Sequence, residues 1–191
     1  MKHIYIFLIL ALGICNSIAA QGDVRLPEKP NRAKYVDYSI KDKGFWCAVE
    51  AEAGSSIVFN STNAQRAGIS YTGGYYFNEF LKVGIGIGAN YYFNNNDKLR
   101  DTSIEWTMPI FANIRGNIIS QESREMVPYW SFSVGGAVRD GVFLSPTIGL
   151  RFGELRNSFL LGLSYTLSEI DAKPGKSKAT SFFALKLGYE F

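Results

Sequence analysis

The stretch SFFALKLGYEF, residues 181–191, decides how this chain folds. Taken two residues at a time, Phe183, Leu185, Leu187, Tyr189 and Phe191 fall on one face, and Ala184, Lys186, Gly188 and Glu190 on the other. Successive side chains of a strand point to opposite sides, so one face here is apolar and the other small or charged. A strand that is apolar outward, polar inward and closes on an aromatic is how a membrane-crossing β-barrel ends.

The other end of the sequence points to the same compartment. Met1-Lys2-His3 opens with positive charge, Ile4 to Cys15 is apolar, and Asn16 to Ala20 supplies small residues. That is the pattern of a secretory signal, residues 1–20, with cleavage expected after Ala19 or Ala20. Ile14 before Cys15 is too bulky for a lipoprotein processing site. With the signal removed, Cys47 is the only cysteine; it reads as a small apolar strand residue with no internal disulfide. Residues 21–43, with Pro27, Pro30 and many charges, read as an extended or disordered periplasmic leader.

No later segment has the ~18 consecutive apolar residues of a membrane-spanning helix. The chain instead alternates, with 19 glycines, 15% aromatic residues and a net charge of +3 of which Lys2 carries one unit. Neither that charge nor any run of Lys or Arg suits a nucleic-acid surface, so no nucleic-acid partner is expected.

Eight alternating segments follow the leader: about 45–53, 66–77, 80–93, 103–117, 128–138, 142–152, 158–167 and the closing 181–191. Strands of this length span a bilayer when tilted, and an even count returns the chain to its starting side. The expected fold is all-β, an eight-stranded antiparallel transmembrane barrel over residues 44–191. Short links near Asn78, 118–127 and 153–157 fall at its periplasmic end. Loops at 54–65, 94–101, 139–141 and 169–178 fall outside. Aromatics gather near both strand ends, Phe45, Phe77, Phe80, Trp130, Phe152, Phe159 and Phe191 below, Tyr71, Tyr91, Phe93, Trp106 and Tyr165 above, as interfacial girdles do. Pro109 and Pro146 sit inside strands and should mark bulges or unpaired positions. A soluble barrel with an apolar interior would leave the outward set as a wide exposed patch, which soluble proteins rarely carry.

The alternation also places charges in the lumen. Glu50, Glu52, Glu105 and Glu190 share it with Lys82, Arg115, Arg151 and Lys186, four acids against four bases. In a barrel only wide enough to be filled by side chains, such groups should pair and leave no broad channel. The reading as a polar core that fixes register outweighs that of a proton or ion relay.

Catalysis is excluded largely by histidine. The one histidine, His3, leaves with the signal, so no Ser-His-Asp or Cys-His arrangement exists in the processed chain, and metal chemistry loses its commonest nitrogen ligand. We expect no enzyme activity, no catalytic, metal or cofactor-binding residues and no cofactor. Gly84, Gly86 and Gly88 lie mid-strand and open no helix, so they make room in the lumen instead of cradling a phosphate. Lys173, Lys176 and Lys178 read first as a solvated loop face; the alternative is a weak, salt-sensitive attraction for anionic lipopolysaccharide or a host surface.

Residues 43–191 resemble the small outer-membrane β-barrel family, the OmpA/OmpX-type barrels grouped broadly as the porin family. The resemblance rests on the hairpin GYYFNEFLKVGIGIG, residues 74–88, and on the closing GYEF, residues 188–191. It implies a monomer in the outer membrane of a Gram-negative-type cell envelope, in contact with outer-membrane lipid and lipopolysaccharide. Gly188, Tyr189 and Phe191 are similar to the signal by which the barrel-assembly machinery recognises its clients. It implies a structural or surface-interaction role, envelope integrity or adhesion. The alternatives are a narrow gated pore or lipid or small-ligand conduit, and a barrel component of a secretion or assembly complex.

Overall fold

The computed structural model describes residues 43–56, 65–93, 106–121, 124–137, 141–154, 157–173 and 176–191. The expected signal, the leader up to residue 42, most of the loop residues and Glu105 lie outside them. The strands are β1 (Gly44–Ser56), β2 (Gln65–Asn78), β3 (Leu81–Phe93), β4 in two pieces (Trp106–Thr107 and Pro109–Asn117), β5 (Met126–Ala137), β6 (Gly141–Gly153), β7 (Ser158–Lys173) and β8 (Lys176–Glu190). Each pairs antiparallel with the next, and β8 returns to β1 from Ala48↔Glu190 to Ser56↔Phe182. The chain forms a closed eight-stranded antiparallel β-barrel.

The stagger of the strands sets the width. From Gly54 the register runs through Ala184, Ser164, Thr147, Ser131, Arg115, Lys82 and Tyr76 back to Gly44, a slip of ten residues in one circuit. Spread over eight strands, this tilts them by about 40° and gives a backbone radius of ~8 Å. Such an interior is filled by side chains, and glycines admit the large ones. A Cβ on Gly86 would lie 2.3 Å from the Phe111 ring, and one on Gly84 3.0 Å from the Trp46 indole.

Outward, the barrel is apolar. Ile85, Ile87, Ile110, Ile148, Leu163 and Leu187 are all more than half exposed. Aromatic contacts mark both ends of the band. Phe45, Tyr75 and Phe77 stack edge to face at the turn end, as do Phe159 and Tyr189; Tyr91 meets Phe93 and Trp106 at the loop end, where Tyr165 meets Phe183. Tyr71 departs from the expected girdle. It pairs with Val49 and Ile87 in mid-barrel, and its hydroxyl donates to Cys47 Sγ at 3.3 Å. Cys47 itself is buried, as a small apolar strand residue would be.

The two prolines act locally. Pro109 follows the break in β4 at Met108. Beside Pro146 the β6–β7 ladder passes from Leu144↔Leu167 to Thr147↔Ser164 without a change of register, so the missing donor leaves an unpaired step and no bulge. The polar segment 169–178 was expected to be a loop, but β7 and β8 stay paired through Glu169↔Ala179 and Asp171↔Ser177. Polarity argues against a strand only at bilayer depth; past it a hairpin can be polar on both faces. At the other end, Asn78 Oδ1 accepts the Phe80 N–H at 2.9 Å and turns β2 into β3 within two residues.

Candidate functional site

Charged side chains from six strands meet inside the barrel, in two clusters. The one nearer the turn end centres on Glu190 of β8, which the stagger carries across the lumen from β3, β4 and β6. Its carboxylate pairs with Lys82 Nζ, with Arg151 Nη2 at 3.0 Å and with Arg115 Nη1 at 3.5 Å. Arg115 Nη2 donates to Glu50 Oε2 at 3.0 Å. All five groups are buried, Arg115 and Arg151 completely.

Neighbouring groups hold this cluster in place. Arg115 Nε donates to Asn113 Oδ1 at 2.7 Å, and the Asn113 amide donates to Ser131 and Ser133 at 2.9 Å each. The Arg115 guanidinium lies 4.7 Å from the centre of the Trp46 ring and the Lys82 ammonium 4.4 Å from that of Tyr76, so cation–π contacts replace part of the lost hydration. Below it, Gln121 from the β4–β5 turn is tucked in. It accepts from Asn117 at 3.3 Å, donates to the Gly153 carbonyl at 2.5 Å, and its backbone N–H donates to Glu79 Oε2 at 2.8 Å.

The second cluster lies towards the loop end. Arg66 Nη2 donates to Glu52 Oε1 at 2.6 Å and to Thr166 Oγ1 at 3.2 Å, and Thr166 shares a 2.9 Å hydrogen bond with Ser145. Lys186 Nζ stands 4.0 Å from Glu52 Oε2, and the Arg66 guanidinium lies 5.0 Å from the centre of the Phe182 ring.

Of the residues singled out from sequence, Glu50, Lys82, Arg115, Arg151 and Glu190 come together in the first cluster, and Glu52 and Lys186 in the second. Glu105 lies outside the described residues. Arg66 was missed. Its signal was available, because it shares the parity of the buried Thr72 and Tyr76, but it stands at the loop boundary where alternation had just begun. Among the described residues the lumen therefore holds five cations and three carboxylates, in place of the expected four and four, and each cluster carries one surplus positive charge. Of the proposed terminal signal, Gly188 faces inward, where a Cβ would sit 2.9 Å from Glu50 Cγ. Tyr189 packs outward against Phe159 at 4.9 Å. Phe191 exchanges both backbone hydrogen bonds with Cys47, at 2.8 and 2.9 Å.

Chemically, this is an ion-paired plug. The groups nearest the turn end are buried, and a cavity of about 40 Å³ is lined by Glu52, Arg66 and Lys186 of the second cluster. Among the described residues, no group of three or more His, Cys, Asp or Glu side chains is placed to hold a metal ion.

No protein-family model and no curated protein matches this sequence. Among solved structures, the N-terminal β-barrel domain of Pseudomonas aeruginosa OprF aligns with 75% of this chain and 97% of its own, at 16% identity and a TM-score of 0.42. A de novo designed transmembrane β-barrel aligns over 76% and 95%, at 10% identity and a TM-score of 0.41. The crystal structure of Neisserial surface protein A (NspA) aligns over 76% of this chain and 95% of its own, at 15% identity and a TM-score of 0.52, and this likeness shows that the two share the fold of a small eight-stranded outer-membrane barrel.

Proposed function

We propose that this chain is a non-enzymatic outer-membrane barrel with a structural or surface-contact role, in envelope integrity or adhesion. The observation that carries this reading is the fully buried cluster around Glu190, which fills the lumen with paired charge where a conducting barrel needs water. The signal-like residues 1–20 support export, and the exposed apolar band supports contact with outer-membrane lipid. Purified barrel in planar bilayers should give no steady current. Regular openings under voltage would overturn the closed-lumen reading and favour the narrow gated pore, in which the surplus cations would make the pathway anion-selective.

Assembly belongs to the same reading. Gly188, Tyr189 and Phe191 form the segment that the barrel-assembly machinery would read, and Lys173, Lys176 and Lys178 offer basic contacts to lipopolysaccharide. Deleting Phe191 removes the last two hydrogen bonds between β8 and β1. The expected result is a several-fold loss of heat-modifiable, folded barrel in outer-membrane fractions, while the same variant refolds in detergent. Equal loss in both settings would make Phe191 a stability residue and not a signal.

A further inference from the structure

A very short turn suffices to lead one strand into the next, and Glu79 and Phe80 do so between β2 and β3. Between β4 and β5 the chain uses residues 118–125 instead. Surplus turn residues ordinarily face water, but Gln121 is only 3% exposed. Asn117, Val127, Arg151 and Ser158, inward residues at the same end of the barrel, are all at 2% or less. The turn end of the lumen is therefore closed below the ion cluster as well as by it.

Separate segments hold Gln121 in place. Its backbone N–H donates to Glu79 in the β2–β3 turn, its side-chain amide donates to the Gly153 carbonyl at the end of β6, and its Oε1 accepts from Asn117. The same turn is tied again where the Gly153 N–H donates to the Glu125 carbonyl at 2.9 Å. Residues 118–125 belong to no strand, so the turn can swing away with all eight strands still paired. The Gly153 carbonyl fixes which way round the Gln121 amide sits, and Gln121 Oε1 then fixes that of Asn117. Asn117 Oδ1 is left buried with no hydrogen bond among the described residues. Opening this end would expose that oxygen to water, so closure carries a desolvation penalty that the open form lacks.

We propose that the β4–β5 turn is a latch on this mouth of the barrel, held shut by Gln121, and that it opens without unfolding the strands. Passage stays blocked at Glu190 in either position, so the latch does not require the barrel to conduct. The reporter is Val127→Cys in a Cys47→Ala background, folded in micelles and labelled with a small water-soluble methanethiosulfonate. It should label far more slowly than Glu125→Cys, at an exposed position of the same turn. Adding Gln121→Ala should speed labelling of the reporter about tenfold or more, as local opening does, with the urea midpoint little changed. Glu79→Gln keeps an acceptor oxygen and should leave the rate within about twofold of the parent. Equal rates with and without Gln121→Ala would overturn the proposal, because the turn would then not be what closes the mouth. So would a faster rate matched by an equal loss of urea stability, which would make Gln121 a stability residue only. A reporter that labels as fast as Glu125→Cys would mean an open mouth and would overturn it too. If Gln121→Ala does not fold, Glu79→Ala cuts the other anchor and is read in the same way.

Discussion

Glu190→Gln is expected to destabilise the barrel by about 3 to 5 kcal/mol, the usual cost of removing one partner from a buried ion cluster. Among the described residues Glu190 is the only carboxylate paired with Lys82 and Arg151, and it meets Arg115 as well. Without its charge, three buried cations share Glu50. The amide keeps the shape of the side chain, so the loss measures charge and not packing. The check is the urea midpoint of barrel refolded into lipid vesicles, followed by tryptophan fluorescence. Glu52→Gln provides the comparison. Glu52 is 15% exposed, and its partners Arg66 and Lys186 border a cavity large enough for a water or ion, so its loss should cost about 1 kcal/mol or less. The double variant Glu190→Gln, Arg151→Met should recover part of the first loss, because it removes a stranded charge as well as a contact. Equal effects at Glu190 and Glu52 would mean that the clusters are equally hydrated.

The same residue shows what could be read from the sequence and what could not. That Glu190 faces inward follows from two-residue periodicity, which is a property of the strand itself. The periodicity places Lys186 inward and Leu185 and Leu187 outward as well, as observed. Neighbours across the closing seam were also legible, since the last strand of a closed barrel must meet the first, and Lys186 does lie opposite Glu52. The partners of Glu190 were not. Alternation gives a face but no height, and height depends on a ten-residue stagger summed over every strand pair. That sum brings Lys82, from a strand 108 positions earlier, onto the Glu190 carboxylate. The excess of cations was hidden for a related reason, because Arg66 belongs to the lumen by parity but borders a polar loop. The β7–β8 hairpin was misread because polarity marks a loop only where a bilayer would otherwise demand apolar side chains.

The outer face gives the complementary prediction, with an effect of similar size and the opposite environment. Ile85 is 71% exposed and sits near the middle of β3, flanked in the ladder by Gly73 and Ala112. On a soluble protein an arginine there would be tolerated within about 0.5 kcal/mol, as most exposed substitutions are. In a bilayer it would lie near the midplane, because the outward residues of β3 from Leu81 to Phe93 rise by about 30 Å at this tilt, the thickness of the hydrocarbon core. Ile85→Arg should therefore cost about 2 to 4 kcal/mol in vesicles, and Phe93→Arg, at the loop end of the same strand, about 1 kcal/mol or less. Urea titration of both variants in vesicles of fixed chain length reads the difference directly. A thinner bilayer should narrow the gap, because a shallower core lets the Ile85→Arg guanidinium reach a headgroup. Equal costs at both depths would remove the membrane from the argument and return the exposed band to the status of an unexplained apolar surface.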